Sequence, residues 1–267
     1  MNTMRAETYV KRAREQVHAE RDATREKLAA VEAFTERVRA LSPETATAAP
    51  TTGAHTTGET LQRSASGRTE SRCRRVRAAF ADTVRPHSVA DIDGDESLLE
   101  TIQEELSEPI AVALASTTDA TFTADLRAAI VSTSRDRCDE LRAAGRVLDR
   151  ECEQVDAAAE TITDVTDWLT AADGTALTEL GFDALRERHA TLTRHRDRCD
   201  RLAAERQSFL GKTTREDPRA AFDHRTLVEY THRDAGPTYP VLAAAVRVDS
   251  VCADCQRAVR DHLTRCV

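Results

Sequence analysis

The chain has 267 residues, of which 40% are hydrophobic and 31% charged but only 4% aromatic, and it carries a formal net charge of −8. That length allows one large or two modest cores and excludes a small domain that must be stapled by disulfides, while the shortage of rings disfavours a thick sandwich or a doubly wound sheet. An interior built from Ala, Val, Leu and Cys around a single Trp168 suits thin helix-to-helix contacts, so the expected fold class is all-α: long antiparallel helices forming an elongated coiled-coil-like bundle.

The first periodic segment, 4–41, sets Val10, Val17, Val31 and Val38 at multiples of seven, with Ala13, Phe34 and Leu41 as companions. This predicts a long N-terminal helix. Glu20, Thr24 and Lys27 interrupt the stripe, which favours packing against other helices over an isolated two-stranded coiled coil. Pro43 restricts the residue before it and ends the helix. Residues 42–67 are rich in Thr, Ala, Ser, Gly and Pro without periodicity and read as a flexible linker.

Residues 68–211 read as a central helical bundle containing a long helical hairpin. Cys73, Val76, Phe80 and Val84 share one helical face. Asp95 or Ser97 is placed to cap a helix that buries Leu98, Leu99 and Ile102, and Ser107-Glu108-Pro109 reads as a fresh helix start. From Thr123 to about Leu169 the pattern is continuous, with a seam of Cys138, Leu141, Gly145, Leu148, Cys152, Val155, Ala159 and Ile162. Gly174 and Gly181 allow a turn into a returning helix that carries Leu185, Leu192, Cys199, Leu202 and Phe209. Arg135 to Leu141 and Arg196 to Leu202 are nearly the same heptapeptide, read as one local solution reached twice, with a cysteine knob flanked by intrahelical Arg and Asp pairs. Residues 212–239 form a loop region with a short helix around 227–230, and 240–267 a C-terminal helix that packs back on the bundle.

With these segments placed, the chain resembles an uncharacterised family of helical proteins from halophilic archaea, a domain of unknown function. The resemblance is carried by RCRRVRAAFADTVRPH from Arg72, RQSFL from Arg206, YPVLAAAVRV from Tyr239 and CADCQRAVRDHL from Cys252. It implies a helical fold and no activity, cofactor or catalytic residue. Only Lys11, Lys27 and Lys212 of the 38 basic residues are lysine, a composition in keeping with a halophilic source or with a high-GC codon bias. In molar salt the Debye length falls to ~3 Å, which would leave partner binding to apolar helix faces.

Cys252, Cys255, His262 and Cys266 give C-x2-C-x6-H-x3-C, which on spacing alone could bind zinc. On one helix, however, Cys252 and Cys266 stand ~21 Å apart along the axis, so only Cys252 and Cys255 could share an ion, and two further ligands would have to come from elsewhere. Cysteine as a small core hydrophobe is the simpler reading. The C-x-x-C pair follows no strand, unlike thioredoxin-like motifs.

Arg72, Arg74, Arg75 and Arg77 form the one basic cluster, either a phosphate-contacting patch or the wet face of an amphipathic helix. Gly211-Lys212-Thr213 lacks the upstream glycine and the strand of a phosphate loop, and Asp91, Asp93 and Asp95 lack the glycine and the terminal Glu of a calcium loop. No metal, cofactor or catalytic residue is therefore expected. The expectation is a non-enzymatic, cytoplasmic, helical protein-interaction or structural module that meets a protein partner or its own copy through apolar helix faces, without membrane and without nucleic acid. The alternative is a metal- or thiol-responsive regulator using Cys252 and Cys255.

Overall fold

The computed structural model describes residues 2–44, 72–88, 97–118, 120–211, 224–233 and 236–265. The linker reading for 42–67 falls almost wholly outside these residues, as do Asp91, Asp93, Asp95, Lys212, Thr213 and Cys266. Eight α-helices and no strand occur among the described residues. They are α1 (Asn2–Arg39), α2 (72–83), α3 (Leu98–Glu105), α4 (Glu108–Leu114), α5 (Ala124–Asp173), α6 (Phe182–Gly211), α7 (His224–Thr231) and α8 (Pro240–Arg265). The fold is all-α, as the periodicity predicts. None of these helices is long and apolar enough to cross a membrane.

The chain divides into two compact units, one of Met1–Asp22 with Ala144–Val267 and one of Ala23–Ala143. Both α1 and α5 contribute residues to each unit. In α1 the boundary falls within the weakest stretch of its stripe, since no residue between Val17 and Ala30 is buried.

In the unit 23–143, Val31, Phe34 and Val38 of α1 meet Val76 and Phe80 of α2, with Ile102, Leu114, Ile130 and Cys138 closing the core. Phe34 and Phe80 pack edge to face, ring centroids 5.4 Å apart, a geometry worth about 0.5–1.5 kcal/mol beyond the area it buries. The two short helices are set by their caps. Ser97 and Glu100 form a reciprocal capping box at α3, and the Ser107 hydroxyl accepts from Ile110 N–H at α4, where Pro109 sits in the first turn.

Lys27, which interrupts the α1 stripe, is matched from α3. Its ammonium pairs with the buried Glu105, whose other oxygen accepts from Arg137 Nε of α5 at 3.2 Å. A charge on the seam is thus tolerated because two cations share one carboxylate.

In the other unit, contacts run in opposite senses along neighbouring helices. Residue 164 of α5 meets 198 of α6, 168 meets 195, and 151 meets 206, so numbers fall on one helix as they rise on the other. That is an antiparallel hairpin, as the turn at Gly174 and Gly181 predicts. The start of α1 runs antiparallel to α5 in the same way, with Glu7 bonded to Thr166 and Arg14 to Asp156 at 2.7 Å. Val10, Ile162, Val165, Leu192, Val248 and Cys252 form the larger core of this unit, and Val17, Leu148, Val155 and Val241 belong to a second one.

The two copies of the heptapeptide are used alike. Cys138 and Cys199 are both buried, and Arg137, Arg196 and Arg198 each reach an acid on another helix, Arg137 keeping an intrahelical bond to Glu140 as well.

The seam residue Gly145 is half-buried, and a Cβ added there would meet nothing within 4 Å. Close packing therefore does not require glycine, and its backbone freedom only opposes the helix. Gly145→Ala is expected to stabilise the protein by about 0.5–1 kcal/mol, read as a higher urea midpoint at unchanged slope.

Candidate functional site

The C-terminal thiols lie on α8 against α6. Cys252 is buried in the same cluster as Cys199, and Cys255, one turn further on, is half-buried. Burial pushes the Cys199 thiol up to about 11 and the Cys252 thiol up to about 12, with neighbouring Cys199, Cys255 and Asp249 adding to the rise at Cys252. Burial also raises Cys255, helped by Asp173 and Asp254 and opposed by Arg188. These are packed thiols, held protonated at neutral pH, because burial outweighs the arginines nearby that would favour a nucleophilic thiolate. His262 lies near the end of α8 and is half-buried. Among the described residues no group of three or more His, Cys, Asp and Glu side chains is placed to hold a metal ion.

Polar bonds fix α8 on α6 beside those thiols. Arg196 donates to Asp249 Oδ1 at 2.9 Å and to Gln256 Oε1 at 3.3 Å, while Gln256 Nε2 donates to Thr193 Oγ1 at 2.7 Å. Gln256 satisfies both ends of its amide in this way, which lets it be buried.

The most constrained chemistry lies elsewhere in the same unit. Glu151 of α5 and His232, just after α7, are both 0% exposed, and Arg206 of α6 is 3% exposed. Arg206 holds Glu151 with two bonds, Nη1 to Oε2 at 2.8 Å and Nη2 to Oε1 at 2.6 Å. His232 Nε2 stands 3.6 Å from Glu151 Oε1, beyond hydrogen-bond length, and its Nδ1 faces Gln16 Oε1 of α1 at 3.3 Å. Burial alone would raise the Glu151 carboxyl, yet His232 and Arg206 together hold it below the usual range. Arg206 of α6 and His232 after α7 thus meet on the one carboxylate of α5, and Gln16 of α1 meets His232 from its other side. The cluster is buried and joins α5 to α6 and to the residue after α7.

Sequence reasoning missed this cluster, although a signal was present. Leu185, Leu192, Cys199 and Arg206 are successive positions of one heptad register, and Glu151, Ala158 and Val165 of another. Opposite charges at core positions of two helices that pack antiparallel are a buried ion pair written in the sequence.

The basic cluster on α2 is divided. Arg72 pairs with Glu44 at 3.4 Å and Arg77 donates to the Leu114 carbonyl, which leaves Arg74 and Arg75 on the exposed side. Gly211 is the last residue of α6.

Breaking the buried pair on one side strands a charge, so Arg206→Ala is expected to cost about 3–5 kcal/mol in urea unfolding, while the Glu151→Met, Arg206→Met double variant costs far less. The thiols set a second expectation. Below the ordinary thiol value of 9.0 both folded and unfolded states keep the proton, and above it the unfolded state ionises while folded Cys199 and Cys252 hold theirs to about 11 and about 12. Stability therefore falls as pH rises from 9.0 towards those values. Urea midpoints measured from pH 8 to 10.5 should decline less steeply in Cys252→Ala than in the parent protein.

No curated protein and no solved structure matches the chain. The family described as "Domain of unknown function (DUF7260)" matches residues 8–256, a span that takes in Cys252 and Cys255 and leaves out His262. With that match running from the second turn of α1 into the second half of α8, the chain belongs to the DUF7260 family.

Proposed function

We propose that the protein is a non-enzymatic helical interaction module that pairs with a second copy of itself through the outward face of α8. The observation that carries this reading is that α8 begins apolar on both sides. Val241, Ala244, Ala245 and Val248 are buried, yet on the other side Leu242, Ala243 and Val246 line a shallow groove of about 730 Å³ with Tyr239, and Val246 is 66% exposed. A helix apolar all round is at home when both faces are covered.

The chemistry of the outward stripe favours a second copy. Tyr239, Leu242, Val246 and Ser250 follow helical spacing, and Arg247 is the one charged residue lining the groove. Among the described residues, Glu229 accepts from the Tyr239 hydroxyl at 2.5 Å and is not part of the lining. Two antiparallel copies related by a two-fold axis midway between Leu242 and Val246 would set Leu242 against Val246 on both sides, an isologous contact of the commonest kind.

Cytoplasmic residence and a halophilic setting belong to this proposal. Lysine scarcity supports the second, and molar salt would weaken charge-based recognition while leaving apolar contact intact. The division of the basic cluster speaks against a phosphate-binding surface, and the raised thiols speak against a redox regulator.

Sedimentation equilibrium of the purified chain in molar potassium chloride tests the reading. A concentration-dependent dimer is expected, weakened about tenfold or more by Val246→Glu, a substitution on an exposed site that leaves helicity unchanged. A strict monomer up to about 100 μM, well above the Kd of ordinary specific pairs, or a dimer indifferent to Val246→Glu, would overturn it.

A further inference from the structure

A cavity of about 240 Å³ opens where α5 ends, the chain turns and α6 returns. Its interior is apolar, with Trp168 and Leu169 from α5, Leu177 from the turn, Leu192 from α6 and Val259 from α8. It is larger than the roughly 150 Å³ void that takes benzene and smaller than the roughly 300 Å³ at which drug-sized pockets begin. The space suits one compact apolar group.

Two opposite charges also line the cavity. Asp173 is exposed at the last position of α5, where the C-terminal carbonyls add negative potential. Arg188 of α6 is half-buried and spends one N–H on the Thr175 carbonyl at 3.3 Å. The two are not joined in an ion pair, yet both act on the thiol of Cys255 in the cavity wall, which places them within electrostatic reach of one atom. The indole of Trp168 is held by the buried His195, ring centroids 4.8 Å apart, so this wall is fixed in place.

We infer that this cavity binds a small zwitterion with an apolar side chain, an α-amino acid of about leucine size, with its carboxylate on Arg188, its ammonium on Asp173 and the α5 carbonyls, and its side chain against Trp168. Arginine supplies several donors in a planar fork that matches a carboxylate, and the unpaired acid with a helix C-terminus supplies the complementary anionic end. An apolar anion would leave Asp173 opposing it, and an apolar amine would leave Arg188 opposing it. Only a ligand carrying both charges answers both residues. The site lies on a different part of α8 from the Tyr239 to Ser250 groove, so either reading can fail without the other.

Trp168 is the only tryptophan, so the fluorescence of the full chain reports on the cavity directly. Titration with L-leucine should give a saturable change, and 4-methylpentanoate and 3-methylbutylamine, which lack the amine and the carboxylate, should each bind about tenfold or more weakly. Arg188→Gln and Asp173→Asn change groups outside the core, keep the helical circular dichroism, and should each weaken L-leucine to a similar degree. Peptide mass analysis should show L-leucine slowing the alkylation of Cys255. No saturable response up to about 10 mM (the weak limit of specific binding as a Kd), equal affinity for a truncated analogue, or binding unchanged in Arg188→Gln overturns the inference.

Discussion

Thin side chains decide how this protein holds together. With so few rings, each helix brings a stripe of Ala, Val, Leu and Cys, and such stripes remove enough surface from water only when long helices lie side by side over many turns. α5 shows the consequence. It runs for 50 residues, about 75 Å at ~1.5 Å per residue, and its buried face extends from Ile130 to Leu169. Among the described residues, the fully buried phenylalanines Phe34, Phe80 and Phe122 all belong to the unit that also contains the short helices α3 and α4.

Long seams carry a second constraint, because any polar residue that falls on them must be answered. Each unit does this by its own means. In one, Glu105 takes Lys27 and Arg137; in the other, Glu151 takes Arg206 in a two-bond clasp beside His232. Desolvating such ions costs several kcal/mol each, so these pairs add little to net stability while making wrong alignments expensive. A helix slipped by one turn would leave a carboxylate buried without its cation. Ala and Val stripes are nearly interchangeable along their length, and the buried charges give them a defined register.

The two surfaces with functional potential follow from the same design. The outward side of α8 is apolar where its opening stretch, VLAAAV, has no polar side chain to offer, and the cavity beside Trp168 lies where α5, the turn after it, α6 and α8 meet. Neither depends on the C-x-x-C pair that first draws attention in the sequence. Cys252 is spent on packing, and Cys255 matters here as part of a wall.

Helix periodicity, with the scarcity of rings, determined that the protein is all-α and which residues of α1, α2 and α5 face inward, because a 3.6-residue repeat of nonpolar side chains has one geometric solution. Local chemistry likewise set the caps at Ser97 and Ser107. Tertiary structure decided what periodicity cannot encode. The partner of Lys27 lies 78 positions away, and the partner of Arg206 lies 55 positions away on a helix read only as an apolar seam. The division of the chain into units, the splitting of the α2 arginines between internal bonds and solvent, and the meeting of Asp173 and Arg188 at one cavity likewise depend on which helix lies beside which. A stripe states that a neighbour exists; only the packed arrangement chooses that neighbour and brings distant charges together.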